Sequence, residues 1–228
     1  MEHLGNDYYV RQYIDSVEAK KAERWCPNCW VLHEYCICKK LTPLENIPNI
    51  ELKVFMHYKE YKKTSNTGCI IKKMLPNNTG LYIHGLDDDK NRLLEEMKDG
   101  VNSCVLYPGE KSISFDEWKN SLDMDLPIKA VLLDSTWAQG KKLNKVIPKM
   151  IPRVQLTAPK PSLIMSKRQS NNTNLCTLEC AALFLQLLGH NVESAMKEAF
   201  MLKDKASLRQ KNKCVLLSQL EQDDHYEK

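Results

Sequence analysis

From residue 50 onward, short apolar runs alternate with longer segments whose apolar residues recur at helical spacing. Leu52-Lys53-Val54-Phe55-Met56 alternates like a strand and ends at His57. Leu81-Tyr82-Ile83, Ser103 to Tyr107, Lys129 to Leu133 and Val154-Gln155-Leu156 read as four more strands. Between them the pattern predicts a short helix from Gly68 to Leu75 stopped by Pro76, an acidic helix from Lys90 to Lys98 ending at Gly100, an acidic loop carrying Trp118, and a helix from Trp137 to Ile147 closed by Pro148. A strongly apolar helix follows from Leu175 to Leu188 and stops at Gly189. A tail helix then carries Val192, Met196, Ala199 and Phe200 on one face.

Strands alternating with helices predict an α/β protein with a mostly parallel sheet covered on both faces. In such a sheet His57, Tyr107-Pro108, Asp134 and Thr157, which all follow strands, gather at one edge. That edge is where open α/β sheets bind their ligands. Ahead of the sheet, residues 1–21 are polar with spaced Tyr9, Tyr13, Ile14 and Val17, consistent with a short helix leading into a cysteine-rich stretch. The domain organisation expected is therefore an N-terminal helix and cysteine-rich segment over 1–45, and an α/β domain with C-terminal helices over 46–228.

Composition narrows this picture in two places. Nine cysteines in 228 residues are an odd number, and four crowd into residues 26–38, which in a reducing compartment reads as metal binding rather than disulfides. Cys26-Pro27-Asn28-Cys29 followed by Cys36-Ile37-Cys38 offers four thiolates on short loops, the soft ligand set of a structural zinc site, with His33 as a possible substitute for one of them. The remaining cysteines, 69, 104, 176, 180 and 214, lie in apolar segments and read as small core residues. No run is long enough to cross a bilayer, and the first residues lack the apolar stretch of a secretory signal, so an intracellular protein of cytoplasm or nucleus is expected.

Charge is unevenly placed. From Lys129 to Arg168 nine basic residues face the single acid Asp134, and from Lys53 to Lys73 six lysines face Glu60. Such segregation favours a polyanionic partner. The stretch His57 to Gly68, with Lys62, Lys63 and Asn66 among aromatics and hydroxyls, has the mix of an RNA-binding surface, and Lys141, Lys142, Lys145, Lys167 and Arg168 extend the basic faces.

The chemistry centres on Asp134-Ser135-Thr136-Trp137, where four apolar residues deliver one carboxylate to a strand end and the chain turns into a lysine-rich helix. Ser135 and Thr136 are capping residue types, and the helix start can hold an anion such as a carboxylate. Trp137 suits either stacking on a base or packing. His57 reads as a scaffold histidine or as a base. At the apolar helix, Asn174 or Thr177 is the expected cap, with Glu179 favourably placed for the helix dipole.

The cysteine cluster, His-x-x-Glu with Ser-Asn-Thr-Gly, Leu-Asp-Ser-Thr-Trp with Gln-x-Lys-Lys, and Leu-x-Thr-Leu-Glu-Cys-Ala-Ala occur in an order that resembles the DTW-domain family, the tRNA-uridine aminocarboxypropyltransferases, over roughly Arg24 to Leu188. Thr177 to Ala182 makes it most similar to the eukaryotic branch. The resemblance implies a SPOUT-like fold with a C-terminal trefoil knot, S-adenosyl-L-methionine as donor, and N3 of a tRNA uridine as acceptor, with methylthioadenosine released. By position it places the donor against Leu106, Tyr107 and Pro108, against Leu133 through Thr136, Leu156 and Thr157, and against Leu175, Cys176, Thr177 and Glu179. Two residues depart from the family pattern, Ser135 where glycine is usual and Gly140 where alanine is usual, and the family's arginine before the last helix corresponds to Lys167 or Arg168. Asp134 is expected either to take the N3 proton or to hold the donor's ammonium group, with Trp137 and His57 beside it. A SPOUT-type RNA methyltransferase and a non-catalytic zinc-containing RNA-binding protein are the alternatives. The oligomeric state is left open, a monomer being the simpler expectation.

Overall fold

A computed structural model describes residues 6–157 and 175–211. The chain divides into two compact units, one made of Met1–Lys20, Glu45–Lys62 and Leu75–Thr157, the other of Lys21–Leu44, Lys63–Met74 and Ala158–Lys228.

The first unit holds a six-stranded sheet. Its strands are β1 (Ile50–His57), β2 (Thr79–His84), β3 (Ser103–Leu106), β4 (Ile113–Ser114), β5 (Ile128–Asp134) and β6 (Arg153–Gln155), in spatial order β2-β1-β5-β3-β6-β4. All five neighbouring pairs run parallel. Every strand therefore ends on the same edge, and the α/β expectation holds.

Both faces of the central strands are buried, which is why they read as nearly continuous apolar runs. One face packs Phe55, Tyr82, Val105 and Val131 against Leu93 of α3 (Asp87–Glu96) and Leu143 of α5 (Trp137–Val146), with Tyr107 and Leu133 at its border. Register places Val54, Leu132 and Leu106 side by side on the opposite face, together with Met56 and Asp134. Strand alternation thus fixes which side of the rim each terminal residue serves.

Several basic residues are used inside this unit. Lys53 pairs with Glu51 and Glu96, and Lys129 with Asp99. Arg153 donates to the carbonyls of Asn144, Ile147, Pro148 and Ile151, closing the C-terminal end of α5 where carbonyls lack helical partners.

The structure departs from the sequence reading at two elements. The acidic loop around Trp118 contains β4 and a short helix α4 (Phe115–Lys119), whose Ser114 cap accepts from the Glu117 amide, with Phe115 and Trp118 buried. Helix α3 begins three residues before Lys90, because the Asp7 carboxylate accepts the Asp87 amide across eighty residues of chain.

That carboxylate belongs to α1 (Asn6–Lys21), the helix expected ahead of the cysteines, which also docks along the rim beyond β1 and β2. Val10 is buried against Gly85, whose φ of +104° and missing Cβ allow the approach; an added Cβ would lie 2.6 Å from Val10 Cγ2. Arg11 bridges Asp7 and Asp88, and Glu18 receives Tyr61 and Lys62.

In the second unit α2 (Gly68–Met74), α6 (Thr177–Leu187) and α7 (Glu193–Gln210) pack together. Residues 158–174 and 212–228, on which the expected C-terminal trefoil knot depends, lie outside the described residues, Cys214 among them. No helix among the described residues is long and apolar enough to cross a membrane.

Candidate functional site

Asp134 is the last residue of β5, and only 3% of its surface is exposed. Thr136 caps α5 immediately beyond it. The Thr136 hydroxyl accepts from the Gln139 amide at 3.4 Å, and the Gln139 side chain accepts from the Thr136 amide at 2.9 Å, a reciprocal pair that fixes the turn. Trp137 opens the helix with 45% of its surface exposed, and Lys141, Lys142 and Lys145 lie on its exposed side, while Gly140 and Leu143 face inward. A buried carboxylate, a locked turn and an exposed indole therefore stand in sequence at the rim of a central strand.

His57 belongs to the other face of that rim. Met56, not His57, is the register partner of Asp134, so alternation sends the histidine and the carboxylate to opposite sides of the sheet. His57 instead stacks on Tyr58 at 4.7 Å between ring centroids and on His84 at 5.6 Å, and its Nδ1 accepts from the Lys59 amide. Burial, with the charge of His84 and lesser contributions from Lys59 and Lys142, pushes its pKa down to about 4, so it is neutral at physiological pH. His84, the residue paired with His57 across β1 and β2, is lowered as well, chiefly by burial. His84 went unnoticed in the sequence. Its signal was there: two parallel neighbours each ending in histidine.

The remaining expected site residues divide by location. Leu106 shares the Asp134 face, while Tyr107 and Leu133 border the core on the other face. Pro108 and Thr157 are exposed, and Leu156 is half-buried. Lys62 and Asn66, expected to face RNA, are instead buried, at 8% and 1% exposure. Lys62 is drawn in by Glu18, and Asn66 accepts from the Cys69 amide at the start of α2. Lys63 is exposed. Lys167 and Arg168 lie outside the described residues.

In the second unit the cap of α6 is Cys176, not Asn174 or Thr177: its sulfur accepts from the Glu179 amide at 3.5 Å, and the Glu179 carboxylate accepts from the Cys176 amide at 2.8 Å. A thiol is a weak acceptor, so the carboxylate carries most of this capping box. Thr177 is already the first helical residue, Leu175 precedes the cap half-buried, and the Leu178 amide reaches Thr67 Oγ1 at 3.4 Å.

Cys26, Cys29, Cys36 and Cys38 converge so that all four sulfurs lie within 4.8 Å of one another, the one group among the described residues able to hold a metal ion. Two sulfur pairs stand at 3.6 and 3.7 Å, close to the edge of about 3.8 Å that a tetrahedron of thiolates around zinc requires. His33, in the turn between the pairs, is not part of the cluster. A bridge between Trp25 and Leu32 closes the first loop, Trp30 turns it through a φ of +58°, and burial of Cys29 and Val31 fixes it. Burial and the charge of neighbouring thiolates push the Cys29 and Cys38 thiols up, whereas amides of Cys29 and Asn28 and the neighbouring thiols bring the Cys26 pKa down to about 7 against its burial.

The two departures at 135 and 140 fit each other. A Cβ on Gly140 would lie 3.2 Å from Ser135 Oγ and 3.9 Å from Tyr107 Cε2, so the serine occupies room that an alanine methyl would use. Gly140→Ala alone is expected to return less than the roughly 1 kcal/mol of its helix propensity. Combined with Ser135→Gly it should recover the difference, a coupling of about 0.5–1 kcal/mol measurable by denaturant melts of the four proteins.

A family model described as the DTW domain matches residues 23–210. Among curated proteins, "tRNA-uridine aminocarboxypropyltransferase 2" of Macaca fascicularis is 26% identical over 180 residues, and the Mus musculus protein of the same name is 25% identical over 180 residues. In each case the match covers 77% of this chain and 60% of the relative, so the chain spans about three fifths of the relatives' length. No solved structure matches.

Proposed function

Because this chain belongs to the DTW-domain family, we propose that it transfers the 3-amino-3-carboxypropyl group of S-adenosyl-L-methionine to N3 of a uridine in tRNA, releasing methylthioadenosine. The names of its relatives support the reaction, and a SPOUT-like topology is proposed with it. The observation that carries the reading is Asp134, a buried carboxylate ending a central strand on the rim where all strands finish.

Uridine N3 attacks the methylene carbon next to sulfur, the carbon–sulfur bond breaks, and sulfur leaves as a neutral thioether with the bonding pair. The sulfonium is already activated, so alignment supplies most of the acceleration. Asp134 takes the N3 proton, or anchors the donor ammonium while the N3 proton passes to water, Trp137 stacks on a base, and Lys141, Lys142 and Lys145 meet RNA phosphates. His57, neutral and on the other face, shapes the rim instead of exchanging a proton with Asp134. The four cysteines fit zinc, which would cross-link their loops and take no part in the reaction.

The test is double labelling. Purified protein and unmodified tRNA are incubated with donor labelled in its methyl or in its carboxyl group. Carboxyl label alone should enter the RNA. Methyl label would identify a methyltransferase, and neither label would leave a binding protein.

A further inference from the structure

Helix α1 precedes the segment that matches the family, yet it is fixed to the rim by Val10 on Gly85, Arg11 on Asp88, Asp7 on the Asp87 amide and Glu18 on Tyr61 and Lys62. A helix held this firmly has a defined outer surface. Among the described residues the large apolar side chains exposed on α1 are all tyrosines: Tyr8, Tyr9 at 63% and Tyr13 at 37%. Tyr9 and Tyr13 are four residues apart and so share one stripe. Tyr13 meets Tyr58 edge to face at 5.3 Å, and Tyr58 stacks on His57, so an aromatic row runs from α1 onto the end of β1.

We infer that Tyr9 and Tyr13, backed by Tyr58, form a shelf on which unpaired nucleotides flanking the target uridine stack. The inference rests on the tRNA reading above. A uridine whose N3 is attacked must leave its pairing and stacking, and its neighbours then need other partners. Every base has a face that stacks on an aromatic ring, so a tyrosine row holds single-stranded RNA whatever its sequence. Charge agrees: Lys59 is exposed and lies over the Tyr58 ring at 5.8 Å, and exposed Lys142 is close enough to act on both His57 and His84. Of the three α1 acids, Asp7 and Glu18 are engaged by Arg11 and by Tyr61 and Lys62, which leaves exposed Asp15.

The experiment measures fluorescence-anisotropy binding of full-length protein to a labelled unmodified tRNA and to a labelled single-stranded uridine-rich oligonucleotide. Tyr9→Ala/Tyr13→Ala should weaken both about ten-fold or more, with an unchanged salt slope, unchanged donor binding and a melting temperature lowered only by the lost Tyr13–Tyr58 contact, the protein remaining folded. Tyr9→Phe/Tyr13→Phe should stay within about two-fold of wild type, since stacking needs the ring and not the hydroxyl. Wild-type RNA affinity in the alanine pair, or an equal loss in the phenylalanine pair, overturns the shelf and leaves the transferase reading standing. Failure of the wild-type protein to bind either RNA overturns both.

Discussion

Replacing Asp134 by Asn is expected to lower turnover by roughly two to four orders of magnitude, the range a positioned general base supplies. The substitution keeps the shape of a side chain that is almost wholly buried and removes its charge and its ability to take a proton. The two roles open to Asp134 separate in the kinetics. If the carboxylate takes the N3 proton, kcat falls while calorimetry finds donor affinity unchanged. If it anchors the donor ammonium, affinity falls about ten-fold or more, because a charge-assisted hydrogen bond is lost, and saturating donor restores part of the rate. Wild-type turnover and wild-type donor affinity together would remove Asp134 from the chemistry and with it the carrying observation of the proposed function.

His57→Gln provides the contrast. His57 lies on the opposite face of the rim from Asp134 and is neutral, so its loss should cost turnover far less than the loss of Asp134. That difference was not visible in the sequence, where both residues simply follow strands. Register decides it, and register depends on which strands are neighbours: Asp134 aligns with Met56 only because β5 lies beside β1.

The same distinction explains what else was legible. Strands buried on both faces announce themselves as apolar runs, and the end of α6 announces itself at Gly189, which adopts positive φ, whereas α3 stops at Glu96, short of the expected Gly100. Helix α4 left a trace too, the Ser114-x-x-Glu117 capping pattern, overlooked because its strand is only two residues long. The docking of α1 could not be read, since Arg11 meets Asp88 across 77 positions and Glu18 meets Lys62 across 44. Counting basic residues likewise overstated the surface charge, because Lys53, Lys62, Lys129 and Arg153 are engaged inside the protein. The cap of α6 was missed because capping preferences favour hydroxyl, amide and carboxylate side chains, and here a thiol is used.

Metal removal is expected to have the largest structural effect. Binding of zinc to four thiolates contributes roughly 10–16 kcal/mol in small zinc domains, as much as the roughly 5–15 kcal/mol by which a whole protein is stable. The loops carrying Cys26 to Cys38 contain two short closures, the Trp25–Leu32 bridge and a three-residue turn, and these alone cannot hold them. Helix α7 is tied to those loops: Lys203, buried, donates to the Cys29 carbonyl, and the Gln210 side chain accepts from the Leu32 amide at 2.9 Å. The same helix holds the segment before α2, through Ser207 on the Thr64 carbonyl at 2.9 Å and Gln210 on the Thr64 hydroxyl at 3.1 Å. Chelation or Cys29→Ser should therefore release about one zinc per chain, lower the melting temperature by about 10 °C or more, and speed hydrogen exchange over residues 25–38 and along α7. Cys104→Ser, which alters a buried strand residue outside the cluster, should destabilise without releasing metal. A chelated protein that melts and exchanges like the untreated one would show that the four thiols hold their loops without an ion.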